Sequence, residues 1–298
     1  MLLCDNLIIM VKWIGSPLKS KILNLKWMGK LMVEIVKYPR TYHIEGSRFQ
    51  PGDEDLDSVP FSAIADRPLI IEEKVDGANT GISFAPDGQM LLQSRGHYLT
   101  GGPREKHFNL FKQWAFSLSG ILGEVLGNRY ILYGEWLYAK HTVFYDCLPH
   151  YFMEYDVLDL ETSQFLSTES RRKLLSGLPL VSVPVLFSGV LKSPKQMVQF
   201  MDKSNFILAQ HLDRLRLYCR ELGLDEERCL KETDQSDRME GLYIKVEEDG
   251  IVNARYKYVR ASFLTAIKNA EGHWLSRPIV PNILRPGADL FNFMRLDG

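Results

Sequence analysis

Short apolar runs rich in β-branched and aromatic residues alternate with polar turns along most of the chain. This pattern predicts strands at 70–75, 80–84, 90–93, 130–138, 151–158, 242–246 and 252–259. Pro86-Asp87-Gly88 predicts a hairpin turn between the second and third of these strands, and the acidic turn 247–250 joins the last two. Apolar residues at helical spacing predict helices at 104–118 and 206–222.

Two shorter helices are indicated by their capping residues. Ser167 or Thr168 is suited to cap a helix that stops at Gly177. Ser193 followed by Pro194 is typical of a helix start, and this helix is expected to run through about Met201. Antiparallel hairpins with helices gathered in blocks predict an α+β fold, with a helical segment at about 167–237.

Composition narrows the kind of protein. With 45% hydrophobic and 24% charged residues, the chain can bury a core and remain soluble. Because the net charge is only −1, a nucleic-acid surface must be a local patch built from the 36 lysines and arginines. The four cysteines contain no C-x-x-C pair, which indicates reduced thiols in a cytoplasmic protein. No apolar run approaches the ~18 residues of a membrane span, so no membrane contact is expected.

The first 31 residues form a basic extension whose role the sequence does not indicate. They carry five lysines and a single acid, Asp5, among apolar residues. Their charges do not precede an apolar core, as they would in a secretory signal, and the absence of arginine is untypical of a transit peptide. Met32 is an alternative start of the protein.

Lys74 is the strongest candidate for chemistry. It stands at the end of the run Ile70-Ile71-Glu72-Glu73-Lys74, directly before the turn residues Asp76 and Gly77. A lysine on a rigid element suits a covalent nucleophile, because attack on an electrophile needs a fixed line of approach. Taken alone, the same pattern also fits an ordinary surface lysine before a turn.

A series of further motifs follows Lys74 in the chain. In order they are Ser94-Arg95-Gly96, Tyr133-Gly134-Glu135-Trp136, Tyr151-Phe152-Met153-Glu154-Tyr155-Asp156-Val157, Met239-Glu240-Gly241-Leu242-Tyr243-Ile244-Lys245 and Ala254-Arg255-Tyr256-Lys257-Tyr258-Val259-Arg260. In order and type, the series resembles the covalent nucleotidyltransferase superfamily of polynucleotide ligases and mRNA capping enzymes. Within it, the chain looks most like ATP-dependent RNA ligases of the phage RNA ligase 2 type and their bacterial relatives. The resemblance covers residues 38–263.

The resemblance implies an ATP-grasp-like ligase adenylation fold, in which antiparallel sheets are flanked by helices. We expect an adenylation domain at 32–263 and a short C-terminal segment at 264–298. The 38 residues after Arg260 are too few for the OB-fold domain of DNA ligases and capping enzymes, so no OB-fold domain is expected. A counterpart of the C-terminal helical domain of the phage ligases is therefore expected to be short or absent in this chain. The helical segment at 167–237 is expected to substitute for it.

The implied activity is ATP-dependent RNA ligation, with a role in RNA repair. A lysyl-AMP intermediate passes its AMP to an RNA 5′-phosphate, and a 3′-hydroxyl end then displaces it. The resemblance implies ATP and Mg²⁺, or Mn²⁺ in its place, and a monomer supplied with RNA ends by a kinase or phosphatase partner. Two alternatives stay open: a DNA ligase-like or capping-type nucleotidyltransferase, and a catalytically silent nucleotide- or RNA-binding module on the same fold.

The resemblance also assigns roles to individual residues. Lys74 is the nucleophile, and Glu73 offers its backbone to adenine. Asn79 and Arg95 match positions that contact phosphate and the RNA end, and Glu135 matches the residue that binds the ribose.

The remaining assignments lie in the later motifs. Phe152 matches an aromatic that stacks on the purine, although a core position is the alternative for a strand residue. Glu240 is expected to hold a metal or the lysine, and Lys257 to contact the α-phosphate together with Arg255. A free lysine titrates near ~10.4, so we expect these cations and a bound metal to lower the pKa of Lys74.

Overall fold

The structure is a computed structural model of the 298-residue chain that describes residues 34–49, 57–263 and 278–292. From Ile35 onward these residues belong to one compact unit. The basic extension expected at 1–31 lies outside the described residues, as do 264–277 and 293–298 of the C-terminal segment. Among the described helices, none combines the length and the apolar character that a membrane crossing needs.

Twelve strands are described. They are β1 Tyr42–Ile44, β2 Ser58–Val59, β3 Pro68–Lys74, β4 Ala78–Phe84, β5 Met90–Ser94, β6 Tyr130–Trp136, β7 Phe152–Asp159, β8 Gln164–Phe165, β9 Val181–Ser182, β10 Val185–Val190, β11 Gly241–Glu248 and β12 Ile251–Val259. The first sheet has the order β10-β3-β11-β12-β1-β2, and the second has the order β5-β4-β6-β7-β8 with β9 beside β7. The pairs are antiparallel except β1–β12, β1–β2 and β7–β9. The expected α+β class with antiparallel sheets is confirmed.

Six α-helices lie between these strands in the described chain. They are α1 Asn109–Ser117, α2 Ser119–Leu126, α3 Thr168–Leu174, α4 Pro194–Val198, α5 His211–Glu221 and α6 Glu226–Lys231. Two 3₁₀ helices, Phe61–Ala63 and Pro103–Phe108, are also described. The N-cap of α3 is Ser167, whose hydroxyl accepts a hydrogen bond from the backbone N–H of Ser170.

The structure differs from the expected helices at three places. The helix expected at 104–118 begins as the 3₁₀ turn and becomes α-helical only at Asn109. The helix expected at 206–222 begins at His211, because the Phe206 carbonyl and the Leu208 N–H instead bond the backbone and carboxylate of Asp146. The segment 167–237 is not purely helical, since it also contributes β9 and β10.

Each sheet buries one apolar face. The second sheet packs Leu132, Trp136 and Phe152 against Phe111 and Trp114 of α1. In the first sheet, Ile44, Ile71, Leu242 and Ile244 form a separate core with Met197 of α4. Apart from these cores, one side chain of β11, Lys245, contacts side chains of both β3 and β7.

Six buried charges join the two sheets, and we call them the buried ion network. Its members are Glu72, Glu154, Asp156, Arg171, Lys245 and Arg255. The Lys245 Nζ lies 2.9 Å from a carboxylate oxygen of Glu72 and 2.9 Å from one of Asp156. The ammonium group of Lys245 on β11 therefore forms an ion pair with one acid from each sheet, Glu72 of β3 and Asp156 of β7.

Arg171 of α3 extends the network to a helix. Its guanidinium lies 3.2 Å from Glu72 and 3.3 Å from Glu154. Burial alone would raise the pKa of Asp156, but Lys245, Arg255 and Arg171 outweigh it and hold that pKa below its ordinary value. The three acids are thus matched by three bases in an interior that would not tolerate any of them alone.

We expect Lys245→Met to destabilise the fold by about 3–5 kcal/mol, because it leaves Glu72 and Asp156 buried without their shared cation. Urea unfolding at neutral pH measures the loss. Lys203→Met is the matched control, since Lys203 also pairs with an aspartate, Asp237, but its side chain is 72% exposed. Equal losses in the two variants would contradict a central role for the network.

Candidate active site

A cavity of about 510 Å³ opens where the strand ends of the two sheets come together. Both sheets line it, along with the segment before β1 and the loop after β5. Its lining residues are Tyr38, Pro39, Thr41, Glu72, Glu73, Lys74, Val75, Asp76, Gly77, Ala78, Asn79, Ser94, Arg95, Gly96, His97, Phe108, Glu135, Tyr155, Val183, Glu240, Tyr243 and Lys257. The volume is in the range of small-molecule sites in proteins.

Lys74 lies at the end of β3, and the turn after it is fixed by Asp76. One carboxylate oxygen of Asp76 accepts hydrogen bonds from the N–H groups of Thr142 and Val143, at 2.7 and 2.8 Å. The Asp76 N–H donates to the hydroxyl of Tyr145 at 2.8 Å. The chain beyond the lysine is therefore held in place, and the lysine keeps one direction of approach.

Gly77 is required by the closeness of β6. A Cβ atom at this position would lie 2.8 Å from the carbonyl oxygen of Trp136 and 3.0 Å from Cγ of Glu135. The contact with the fixed backbone oxygen is too close for a real Cβ atom, and the contact with Glu135 is tighter than ordinary packing. The Gly77 N–H also bonds the Glu135 carboxylate. A glycine here lets the strand after Lys74 run directly beside Glu135.

The Lys74 amine is held by Glu240. Its Nζ lies 2.7 Å from each carboxylate oxygen of Glu240, which is almost completely buried, while the lysine side chain is 24% exposed. Burial opposes the charge on Lys74, but the acids around it, Glu240 foremost, outweigh burial and raise the pKa of the lysine. The expectation of a cation-rich pocket that lowers this pKa is wrong for this state, because the nearest charges are carboxylates.

The pKa of the Glu135 carboxyl is raised far above its ordinary value. Burial, and to a smaller extent Glu240 and Asp76, raise its pKa to about 8, although Lys74 lowers it. At neutral pH the folded protein therefore holds a proton on this carboxyl, which can then donate a hydrogen bond as well as accept one.

The side chains of the cavity include possible ligands for the expected divalent metal. Among the described residues, no three His, Cys, Asp or Glu side chains lie close enough to hold a metal by themselves. Mg²⁺ usually takes one or two carboxylates, with phosphate oxygens and water completing its shell. Glu240 supplies such a carboxylate, and Glu135 and Asp76 lie near the same lysine. These residues fit a metal that arrives with a triphosphate.

The cavity brings together seven of the nine residues expected at the site. Besides Lys74, Glu135 and Glu240, it contains Glu73, Asn79, Arg95 and Lys257. The amide nitrogen of Asn79 donates to the hydroxyl of Tyr155. Arg95 is exposed, and no side chain in the described part of the structure forms an ion pair with it. Lys257 is 7% exposed and comes from β12.

The side chain of Glu73 is directed into the protein. Its carboxylate accepts hydrogen bonds from Ser204 and Asn205, and its N–H donates to the carbonyl of Pro184 at 3.1 Å. Pro184 has no N–H with which to return a bond, as an ordinary strand partner would. The Glu73 carbonyl therefore receives no hydrogen bond from position 184, where a residue with an N–H would donate one.

Two expected site residues do not line the cavity. Phe152 is completely buried, and its ring centroid lies 4.8 Å from that of Trp114 in the core, so the expected stacking on a purine is wrong. The Arg255 guanidinium lies 3.4 Å from Asp156 and 3.7 Å from the ring centroid of Phe165. The expected nucleotide contact of Arg255 is corrected accordingly, because its charge serves the buried ion network.

Three tyrosines at the cavity were not expected from the sequence. Tyr38, Tyr155 and Tyr243 all line it. The Tyr38 hydroxyl donates a hydrogen bond to the Asp156 carboxylate and is also hydrogen-bonded to the Tyr243 hydroxyl. The pairing of β7 with β6 skips Tyr155, which marks a β-bulge there. The motif match pointed to Phe152, whereas the core position that strand alternation allows for Phe152 is the one that the structure shows.

Comparison with protein families identifies the family of this chain. The model of the RNA ligase family matches residues 67–259, which is more than half of the chain, so the chain belongs to the RNA ligase family. The match contains every cavity residue from Glu72 to Lys257. No curated protein matches the sequence significantly.

Solved structures of an RNA ligase from Naegleria gruberi are similar to the chain at a low level. A mutant with ATP and Mn shares 16% identity at a TM-score of 0.49, and the match covers 78% of this chain and 58% of that one. The Naegleria enzyme with PPi shares 17% identity at a TM-score of 0.48, with coverages of 79% and 58%. The present chain thus spans less than two thirds of those ligases.

We expect Glu135→Gln to change how stability depends on pH. The folded protein binds a proton at Glu135 up to about pH 8, whereas the unfolded chain releases it near its ordinary pKa of about 4.3. Stability of the unmodified protein therefore falls as pH rises through this window, and the variant loses that part of the fall. Calorimetric melting temperatures at pH 5, 6, 7 and 8 measure the difference.

Glu124→Gln serves as the control for this experiment, because Glu124 is an exposed residue of α2 outside the cavity. Between pH 5 and 8, the melting temperature of the Glu135 variant should rise steadily relative to that of the unmodified protein. The melting temperature of the Glu124 variant should show no such relative rise. Parallel curves for all three proteins would contradict the raised pKa.

Proposed function

We propose that the protein is an ATP-dependent RNA ligase that joins 5′-phosphate and 3′-hydroxyl RNA ends through a lysyl-AMP intermediate. The observation that carries this proposal is the Lys74 amine, held 2.7 Å from Glu240 inside a cavity of a chain from the RNA ligase family. A nucleophile fixed by a neighbouring carboxylate is the arrangement that covalent catalysis uses.

In the first step the Lys74 nitrogen attacks the α-phosphorus of ATP. A nitrogen–phosphorus bond forms, the bond from the α-phosphorus to the bridging oxygen breaks, and pyrophosphate leaves. Because Lys74 is protonated in the resting site, its proton must first be lost, and Glu240 is in hydrogen-bond contact to accept it. Bound Mg²⁺, or Mn²⁺, would neutralise the triphosphate and stabilise the pyrophosphate.

The other residues of the cavity are assigned to the nucleotide. The Glu73 carbonyl, without a return bond from Pro184, is an acceptor suited to the amino group of adenine. The protonated Glu135 carboxyl can donate to one ribose hydroxyl and accept from another. Lys257 provides positive charge for the α-phosphate, and Tyr155 replaces Phe152 as the aromatic side chain at the nucleotide.

In the second step AMP is transferred to the RNA 5′-phosphate, and in the third step it is released. An oxygen of the RNA 5′-phosphate attacks the lysyl-AMP phosphorus, which releases the Lys74 amine. The 3′-hydroxyl of the other RNA end then attacks the 5′-phosphate phosphorus, and AMP leaves. Arg95 lies exposed at the cavity with no ion-pair partner in the described structure, and we assign it and Asn79 to the incoming phosphate.

The biological setting belongs to the same proposal. We place the enzyme in RNA repair, as a cytoplasmic monomer to which a kinase or phosphatase supplies matching RNA ends. The three described cysteines form no disulfide, which suits a reducing compartment. We retain an adenylation domain at 32–263 and a C-terminal segment at 264–298, and we keep the extension 1–31 separate from the catalytic domain.

Incubation with Mg²⁺ and ATP labelled at the α-phosphate should give covalently labelled protein, and Lys74→Ala should abolish the label. Lys112→Ala is the matched control, because Lys112 also pairs with a glutamate, Glu105 at 3.0 Å, but lies outside the cavity. Denaturing electrophoresis shows the label directly.

The controls also separate the alternatives. Labelling from GTP in place of ATP would assign the chain to the capping type. A nicked duplex with RNA or DNA on the 3′-hydroxyl side tests the polynucleotide, and sealing of the DNA nick alone would contradict an RNA ligase. An unlabelled protein, or a label retained by Lys74→Ala, would overturn the proposal.

A further inference from the structure

We infer that Arg260 is the positioning residue of this site: it fixes the chain that carries Glu240, and through Glu240 it fixes the Lys74 amine. Arg260 follows β12 directly, and Glu240 precedes β11 directly. Since β11 and β12 are antiparallel and Gly241 pairs with Val259, the two residues stand opposite each other beyond the last strand pair. The inference rests on the proposed function, in which Lys74 is the nucleophile.

The Arg260 guanidinium binds the chain immediately before Glu240. Its Nε donates to the carbonyl of Met239 at 2.7 Å, and an Nη donates to the carbonyl of Arg238 at 3.4 Å. The Arg260 backbone N–H also donates to the carbonyl of Glu240 itself at 3.3 Å. Three successive carbonyls, at 238, 239 and 240, are thus held by one residue.

The guanidinium is itself anchored on two further sides. It forms an ion pair with Asp234, which is 6% exposed, and its other Nη donates to the hydroxyl of Ser262 at 2.6 Å. Arg260 is 7% exposed, so these bonds form with little competition from water. The anchored side chain is a rigid support for the carbonyls, because a planar fork that is held on all sides has no freedom to turn.

Glu240 needs this support because it stands outside regular pairing. Helix α6 ends at Lys231, and the described chain from 232 to 240 belongs to no helix or strand. On the other side, β11 and β12 approach so closely at Gly241 that a Cβ there would lie 2.1 Å from the Tyr258 carbonyl. The Glu240 carboxylate is therefore aimed from a junction whose preceding loop is held on one side by Arg260. On the other side, the Met239 N–H donates to the Asp202 carbonyl at 3.2 Å.

The consequence concerns the rate of the chemical step. Glu240 holds the Lys74 amine with both carboxylate oxygens, and displacement of its backbone changes the direction from which that amine meets the α-phosphorus. Loss of about 1 Å in such an alignment costs on the order of 10²-fold in rate. Arginine suits the task because it offers five N–H donors in a fixed plane, whereas lysine offers a single point of charge.

The test is single-turnover adenylylation of the full-length enzyme with labelled ATP and Mg²⁺, for the unmodified protein and Arg260→Met. The rate constant at saturating ATP should fall by about tenfold or more, while the ATP concentration for half-maximal rate changes by less than about threefold. The amplitude reports the fraction of competent molecules, so damage to the fold alone would lower the amplitude and leave the rate constant unchanged.

Two further variants keep the test decisive if Arg260→Met folds poorly. In Asp234→Asn/Arg260→Met the orphaned carboxylate is removed, so the melting temperature should rise above that of Arg260→Met while the rate constant stays low. Arg260→Lys keeps a charge for Asp234 but not the fork, and it should retain stability while its rate remains several-fold reduced. Arg129→Met is the control, because Arg129 also binds its aspartate, Asp159, with two nitrogens but lies outside the cavity.

A rate constant equal to that of the unmodified protein in Arg260→Met would overturn the inference. So would recovery of rate together with stability in the double variant, because that result assigns Arg260 to the fold alone. Failure of the unmodified protein to become labelled would instead contradict the proposed function, so the two failures are distinguishable.

Discussion

The buried ion network is the constraint on which the cavity depends. Lys245 bonds Glu72 of one sheet and Asp156 of the other, each at 2.9 Å, and both acids come from strands that also carry cavity residues. Glu72 stands two residues before Lys74 on β3, so the strand that delivers the amine is fixed to the opposite sheet. Buried ion pairs contribute little net stability but strongly penalise arrangements that break them. Here that penalty keeps the two sheets in one relative position.

The resting site holds its lysine in the protonated form. The acids around Lys74, Glu240 foremost, stabilise its charge more than burial opposes it, so the carboxylate that positions the amine also suppresses its nucleophilicity. The proposed attack on ATP needs the Lys74 proton to pass to Glu240, and a bound divalent metal would add positive charge that lowers the pKa of the lysine.

Much of this arrangement follows from the sequence, and the exceptions have identifiable physical causes. The seven predicted strands all exist, and the motif series placed Lys74, Glu135 and Glu240 at one cavity, because apolar runs and turn residues act locally. Tyr155 was missed because the motif match pointed to Phe152, and no local signal in the sequence marks the bulge at Tyr155 on β7. Arg255 was misassigned because its partner, Asp156, lies on another sheet, and such a pairing is visible only in three dimensions.

The central claim is that one amine, at Lys74, becomes bonded to the α-phosphorus of ATP. Tandem mass spectrometry of proteolytic peptides, after incubation of the protein with ATP and Mg²⁺, tests it most directly, because it identifies the modified side chain. The account expects an adenylate group on the peptide that contains Lys74, with fragment ions that place it on that residue. Absence of the group from every peptide, or its presence on another lysine, would contradict the account.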